Sequence, residues 1–239
     1  MLFRSIEACP ELGRRGYERE HTFTLIQNSL SGLKLSFPLF NQEILLALPG
    51  MFGEFNAYNS MMSFLVCLQL GVQPSAIQEA LVAFPGVPGR LQSHQLINGA
   101  QAFVDFAHNA PSFQGVLSAL RTLTPKLIVV FGCGGDKDKA RRPAMGQLAA
   151  HYADIVIITD DNPRSEDRHA IIQDIIAGIP EESQAKVICQ PDRKKAIALA
   201  AQLSDKNSVI ALLGKGHETY YLVKDQKIYF NDLEEIKQF

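Results

Sequence analysis

Lys126-Leu127-Ile128-Val129-Val130-Phe131, then Gly132-Cys133-Gly134-Gly135-Asp136-Lys137-Asp138-Lys139-Ala140, then Arg141-Arg142-Pro143, runs from an apolar segment through a glycine-rich, charged loop. Leu127 to Phe131 is an uninterrupted apolar run, too short for a globular helix and rich in β-branched residues. That combination predicts a central parallel strand buried on both faces. Three glycines and a cluster of charges follow it, and then a helical apolar pattern through Met145, Leu148, Ala149 and Tyr152. In open α/β sheets ligands bind just outside the carboxyl ends of the strands. This loop, with room for close backbone approach and charges of both signs, is therefore a candidate ligand loop. No Gly-Lys-Ser/Thr ends it, so it is not a Walker A loop.

Outward from that strand, the chain from about Ala100 alternates strands and helices. Strands are expected at Ala102–Phe106, Leu127–Phe131, Ile155–Thr159, Lys186–Cys189 and Ser208–Leu213. Helices are expected at Ser112–Leu123, Pro143–Tyr152, Arg168–Ala177 and Arg193–Leu203. The alternation predicts a doubly wound, mostly parallel, Rossmann-like sheet. Lys224-Asp225-Gln226-Lys227 reads as a hairpin turn between Tyr220–Val223 and Ile228–Phe230, and a short helix closes the chain.

The first part reads differently. His21–Ile26, Gly32–Phe37 and Glu43–Leu48 form an antiparallel meander. A helix over about Ser60–Leu70 is apolar nearly all round, and a second over Ser75–Ala83 takes Ser75 as its N-cap. Phe84-Pro85-Gly86-Val87-Pro88-Gly89-Arg90 breaks the chain, and the domains are placed at 1–95 and 96–239.

Composition bounds the function. Across 239 residues the apolar fraction is 46% and the net charge is −2. The charge argues against a general nucleic-acid or anionic-membrane surface. Four scattered cysteines without a C-x-x-C pattern point to reduced thiols, and there is neither a membrane-length apolar run nor a signal-peptide core. A cytoplasmic protein without metal ligands is expected.

Four strand ends share one rim if the sheet is parallel: Asp105 to Asn109, the glycine loop, Asp160 to Glu166, and Gly214-Lys215-Gly216-His217-Glu218. Their chemistry suits a zwitterion. The guanidinium of Arg164 offers a planar fork to a carboxylate, with Pro163 stiffening its backbone. Asp161, Asn162 and Glu218 can accept from an ammonium group, and Gly214 lets a ligand reach main chain. His217 is given no catalytic role.

The order and spacing of six motifs resemble the Mur ligases: Gly53-Glu54-Phe55-Asn56-x-x-Asn59, Val87-Pro88-Gly89-Arg90, Asp105-Phe106-Ala107-His108, Phe131-Gly132-Cys133-Gly134-Gly135-Asp136, Asp161-Asn162-Pro163-Arg164 and Gly214 to Glu218. Asp-Asn-Pro-Arg points to the branch adding meso-diaminopimelate to UDP-N-acetylmuramoyl-dipeptide (the MurE type). The resemblance covers the residues after about 40. It implies a truncated piece of the central ATP-binding domain followed by the C-terminal domain, and an ATP- and Mg²⁺-dependent ligase of peptidoglycan synthesis. It implies a diaminopimelate site of Lys137, Asp161, Asn162, Pro163, Arg164, Gly214 and Glu218. On the nucleotide side it implies Asn56, Asn59, Arg90, Asp105 and His108.

Two of the matched motifs depart from the family pattern. Lys137 stands where the family has arginine, and Phe106-Ala107-His108-Asn109-Ala110-Pro111 replaces Tyr-Ala-His-Thr-Pro-Asp. No Gly-x-x-Gly-Lys-Thr loop occurs in the sequence, so the isolated chain is expected not to turn over ATP. Three readings follow. One is a ligase portion whose missing half lies on a separate chain or was lost. The others are a non-catalytic amino-acid-binding module and a degenerate remnant.

Overall fold

The computed structural model describes residues 23–39, 42–224 and 226–239. They divide into two compact units at Gly86/Val87.

In the first unit β1 (Thr24–Ser29), β2 (Gly32–Leu39) and β3 (Gln42–Leu48) form an antiparallel meander in that order. His21 and Thr22, where the first strand was expected to begin, lie outside the described residues. Leu33, Leu35, Phe37, Leu46 and Leu48 are buried with Ala57, Met61 and Phe64. Phe37 meets Phe64 edge to face at 5.1 Å, a favoured aromatic geometry. The helix α1 (Glu54–Gln69) starts six residues before the expected Ser60, because Gly53, at φ +83°, takes the N-cap position and fixes its N–H on Asn28 Oδ1. Ser75 is not an N-cap. Helix α2 (Pro74–Ala83) begins with Pro74 after Gln73, using proline's preset φ and missing N–H where no helical partner exists.

The second unit is an α/β sandwich on a six-stranded sheet of order β4-β5-β9-β6-β7-β8. Its strands are β4 (Gln92–Gln95), β5 (Gln101–Asp105), β6 (Lys126–Phe131), β7 (Ile155–Ile158), β8 (Lys186–Cys189) and β9 (Ser208–Leu213). All pair in parallel except β4, an antiparallel edge strand on β5. That pairing carries residues 87–95 with this unit, nine residues before the boundary read from the sequence.

Alternate side chains point to opposite faces of the sheet. Ala102, Val104, Ile128, Val130, Ile157, Ile210 and Leu212 pack with Ala196, Ile197 and Ala200 of α6 (Arg193–Leu203) and Ile236 of α7 (Asp232–Ile236). On the other face Phe131 packs on Phe113 of α3 (Ala110–Arg121), with ring centroids 4.8 Å apart. The remaining helices are α4 (Arg141–Tyr152) and α5 (Arg168–Ile176). Helices α3, α5, α6 and α7 start on Asn109, Asp167, Asp192 and Asn231, whose side chains accept from first-turn N–H groups that have no helical partner.

The hairpin β10 (Tyr220–Val223) and β11 (Gln226–Tyr229) pairs Val223 with Gln226. The turn is thus tighter than the four residues expected, and Lys224 takes φ +50°. Register places Asp105 beside Leu213, Val130 beside Leu212 and Phe131 beside Ile158, so the loops leaving these four strands share one rim.

Candidate functional site

Two rim loops clasp each other. The segment after β6 reaches the segment after β7 through Gly135 N–H, which donates to Asn162 O at 2.9 Å. Arg164 Nη1 returns a bond to Gly135 O at 2.6 Å. Asp136 N–H donates to Glu166 Oε1 at 2.6 Å, and the Asp136 carboxylate accepts from Ser165 Oγ at 2.7 Å and from its N–H at 3.3 Å. Asp136 and Arg164 are both left-handed, at φ +55° and +51°. Such geometry is uncommon for non-glycine residues and persists here because bonds from both loops hold it. A methyl group on Gly135 would run into the Pro163 carbonyl oxygen, and one on Gly132 into Thr159 O, so the glycines permit the approach.

Beneath the clasp lies Arg142, fully buried. It grips Glu166 with Nη2 at 2.8 Å and Nη1 at 3.0 Å, and Nη1 also reaches Asp174 at 2.8 Å. The Arg142 hydrogen bonds, followed by the Asp136 N–H, lower the Glu166 carboxyl to about 2.

Asn162 is the hub of the next cluster. Its Nδ2 donates to Glu218 Oε2 at 3.0 Å, while its Oδ1 accepts from Leu222 N–H at 2.8 Å and Lys215 Nζ at 3.3 Å. Lys215, without solvent exposure, also donates to Glu218 Oε2 at 3.2 Å, lies 3.9 Å from Asp161 Oδ1 and faces the Tyr221 ring at 4.7 Å. Burial lowers the Lys215 amine and raises the Asp161 carboxyl, each opposed by the other's charge. Gly214, at φ +107°, lies under Asp161, where a methyl group would sit 2.8 Å from Oδ2. Among the described residues no hydrogen bond is made to Glu218 Oε1, so that oxygen keeps its acceptor capacity.

The other expected residues fall as follows. Lys137 is exposed, and no described residue bonds or pairs with it. Asp105 accepts Leu91 N–H at 2.8 Å and Ala107 N–H at 2.7 Å, so both oxygens brace backbone; burial raises its carboxyl. His108 Nδ1 lies 2.8 Å from Phe106 O; its ring meets Phe106 edge-on at 4.8 Å, and that of His217 lies tilted to Phe106 at 5.4 Å. Arg90 lies over that same ring at 4.9 Å. Asn56 and Asn59 belong to the first unit, in the opening turns of α1, where Asn56 Nδ2 donates to Phe52 O and Asn59 Nδ2 to Asn56 Oδ1.

One supporting residue escapes the sequence reading. Arg193 binds Asp232 with two bonds and also donates to Asp160 O at 3.2 Å and Leu213 O at 3.0 Å, tying two rim strands together. Its only sequence signal is a basic residue at a helix start, where the dipole disfavours it.

Among the described residues no helix is long and apolar enough to cross a membrane, and no group of three or more His, Cys, Asp or Glu could hold a metal ion.

Known proteins resemble this chain in sequence and fold. The chain is 42% identical over 183 residues to UDP-N-acetylmuramoyl-L-alanyl-D-glutamate--2,6-diaminopimelate ligase of Syntrophomonas wolfei, covering 76% of this chain and 37% of that one. It is 44% identical over 198 residues to the protein of the same name from Prochlorococcus marinus, covering 79% and 38%. The chain thus spans well under half the length of these relatives. A solved structure of a ligase of that name superposes with a TM-score of 0.68 at 30% identity, covering 90% of this chain and 44% of the other. UDP-N-acetylmuramate-alanine ligase of Thermotoga maritima, at 17% identity and a TM-score of 0.61, shares the fold. The family model for the Mur ligase glutamate ligase domain matches residues 89–216, across all four rim loops as far as Gly216, and the chain belongs to the Mur ligase family.

Proposed function

We propose that this chain is the C-terminal portion of an ATP-dependent amide-bond ligase. It adds meso-diaminopimelate to UDP-N-acetylmuramoyl-L-alanyl-D-glutamate in the cytoplasm, during peptidoglycan synthesis. The observation that carries the reading is the pairing on one rim of a braced guanidinium, Arg164, with the Asn162–Glu218–Lys215 cluster. The distal carboxylate of the amino acid meets Arg164, and an ammonium group meets Glu218 Oε1. Held in a fixed pose, the attacking amine needs no further orientation before reaction. The relatives' names and the 90% coverage by the ligase structure support the same assignment.

The first unit, in this reading, is the end of the central ATP-binding domain. Asn56 and Asn59 are its nucleotide-side residues; Arg90, Asp105 and His108 are those of the second unit, the last two through the backbone they brace. Among the described residues no group of three or more His, Cys, Asp or Glu could hold the implied Mg²⁺. A phosphate loop, which this sequence does not contain, would complete the enzyme. A second reading, a binding module without catalysis, draws on the loose, exposed Lys137.

Titration calorimetry with meso-diaminopimelate and with lysine tests the site. Lysine lacks the distal carboxylate, and leaving a charged hydrogen-bond partner unmatched costs about 1.5–3 kcal/mol, so lysine binds roughly ten- to a hundredfold more weakly. Arg164→Ala erases that preference. Equal affinities in the parent chain would defeat the assignment. ATP turnover on mixing with a chain that supplies the phosphate loop separates ligase from binding module.

A further inference from the structure

Seven arginines lie among the described residues, and the most deeply buried, Arg142 and Arg193, are each clamped by carboxylates. Arg141 and Arg164 are half-buried and have no acidic partner among the described residues. Arg141 Nη1 donates to His108 O at 3.2 Å, and Arg164 Nη1 donates to Gly135 O. Neither bond neutralises a charge. Arg141 Nε is sealed from solvent and has no hydrogen-bond partner.

Both guanidinium groups converge on one glycine. A methyl group on Gly134 would sit 2.9 Å from Arg164 Nη1, 3.6 Å from Arg141 Nη2 and 3.8 Å from Asn162 O. Two unneutralised cations at one half-buried point repel each other, and an anion between them reverses the sign of that interaction. A carboxylate is the natural occupant, since each planar fork can present two N–H groups to it. Lys137, at the position where resemblance to the family leads one to expect the second fork, is exposed and unbraced instead.

We infer that Arg141, four residues further along, supplies the second guanidinium. It shares with Arg164 the distal carboxylate of the bound amino acid and so sets specificity for a dicarboxylic substrate. This rests on the proposed diaminopimelate site and adds a residue to it. Arg141 opens helix α4, whose first-turn N–H groups add to the positive field at the same place.

The test uses the full chain in titration calorimetry with meso-diaminopimelate and lysine, comparing the parent with Arg141→Gln, Arg141→Lys and Lys137→Ala. Arg141→Gln is expected to weaken meso-diaminopimelate at least tenfold, more than Lys137→Ala does, and to change lysine less than twofold. Arg141→Lys restores the charge without the fork and recovers part of the preference, which a purely structural arginine would not show. If the parent binds and Arg141→Gln leaves the ratio of the two affinities intact, Arg141 has no such role and the site itself stands. If the parent binds no meso-diaminopimelate, the site assignment falls and this inference falls with it.

Discussion

Arg193 and Asp232 form a two-pronged ion pair sealed from solvent, with Nε to Oδ1 at 2.7 Å and Nη2 to Oδ2 at 2.6 Å. Removing one partner leaves a buried charge unmatched, which costs about 3–5 kcal/mol. Arg193→Leu should therefore lower the urea midpoint sharply, with Asp232→Asn close behind. The double change Arg193→Met with Asp232→Leu should lose less than either single one, because no charge is stranded. A double variant as unstable as the sum of its parts would show that the pair's position at the rim, not its charge, matters.

Glu166 ties stability to pH. Its carboxyl is lowered from an ordinary value near 4.5 to about 2, chiefly by Arg142. Between those values the unfolded chain binds the proton and the native one does not, so the contribution is full above about pH 4.5 and is lost as pH falls towards 2. In Glu166→Gln that window should be flatter, and equilibrium unfolding at pH 6, 4 and 2.5 reads the difference. Identical pH profiles for the two proteins would remove Glu166 from the clasp.

Gly135→Ala should damage the clasp directly, since the added methyl meets the Pro163 carbonyl. Overpacking of this kind costs about 1–3 kcal/mol. The expected result is a lower melting temperature together with a loss of meso-diaminopimelate binding, because Arg164 is braced by the Gly135 carbonyl. Gly115→Ala, on an open helix surface with nothing nearby, is the control and should be near neutral or slightly stabilising.

Asn162 holds the β10–β11 hairpin to the sheet through Leu222 N–H. Asn162→Ala strands the Leu222 N–H, at about 1–3 kcal/mol for a group left unpaired, while Lys215 keeps its bond to Glu218. Amide exchange at Leu222 should accelerate markedly, with little change at the buried Val129 of strand β6. Unchanged protection at Leu222 would mean the hairpin is anchored elsewhere.

The buried parallel strands were legible because they carry apolar runs that only a two-sided sheet can bury, as Leu127–Phe131 and Ser208–Leu213 show. Strand β4 was not: Gln92-Ser93-His94-Gln95 is polar throughout, as a part-exposed edge strand can be. Helix α1 was read six residues short because Gly53 and the asparagines at 56 and 59 look like loop. The role of Gly53 emerges only when Asn28, on strand β1, fixes its N–H. At the site, Arg164, Asn162 and Glu218 announced themselves by residue type at strand ends. Arg193 did not, because its partner lies 39 residues away and no local pattern links them. Arg141 escaped for a related reason: its meaning lies in convergence on Gly134, which spacing alone cannot express.

Strand β9 sits between β5 and β6, although it is made long after both. On a ribosome moving at about 5–20 residues per second, the earlier strands emerge several seconds before the strand that hydrogen-bonds to each of them. During that interval two apolar edges stand side by side without their shared partner, open to mispairing with other chains. Phe239 O accepts from Ile97 N–H at 2.9 Å, so a contact next to β4 is closed only by a residue made after β9. Folding of this domain is therefore a late, nearly all-at-once event. A nascent chain released before Leu213 would be a substrate for chaperones and proteases rather than a smaller version of the protein.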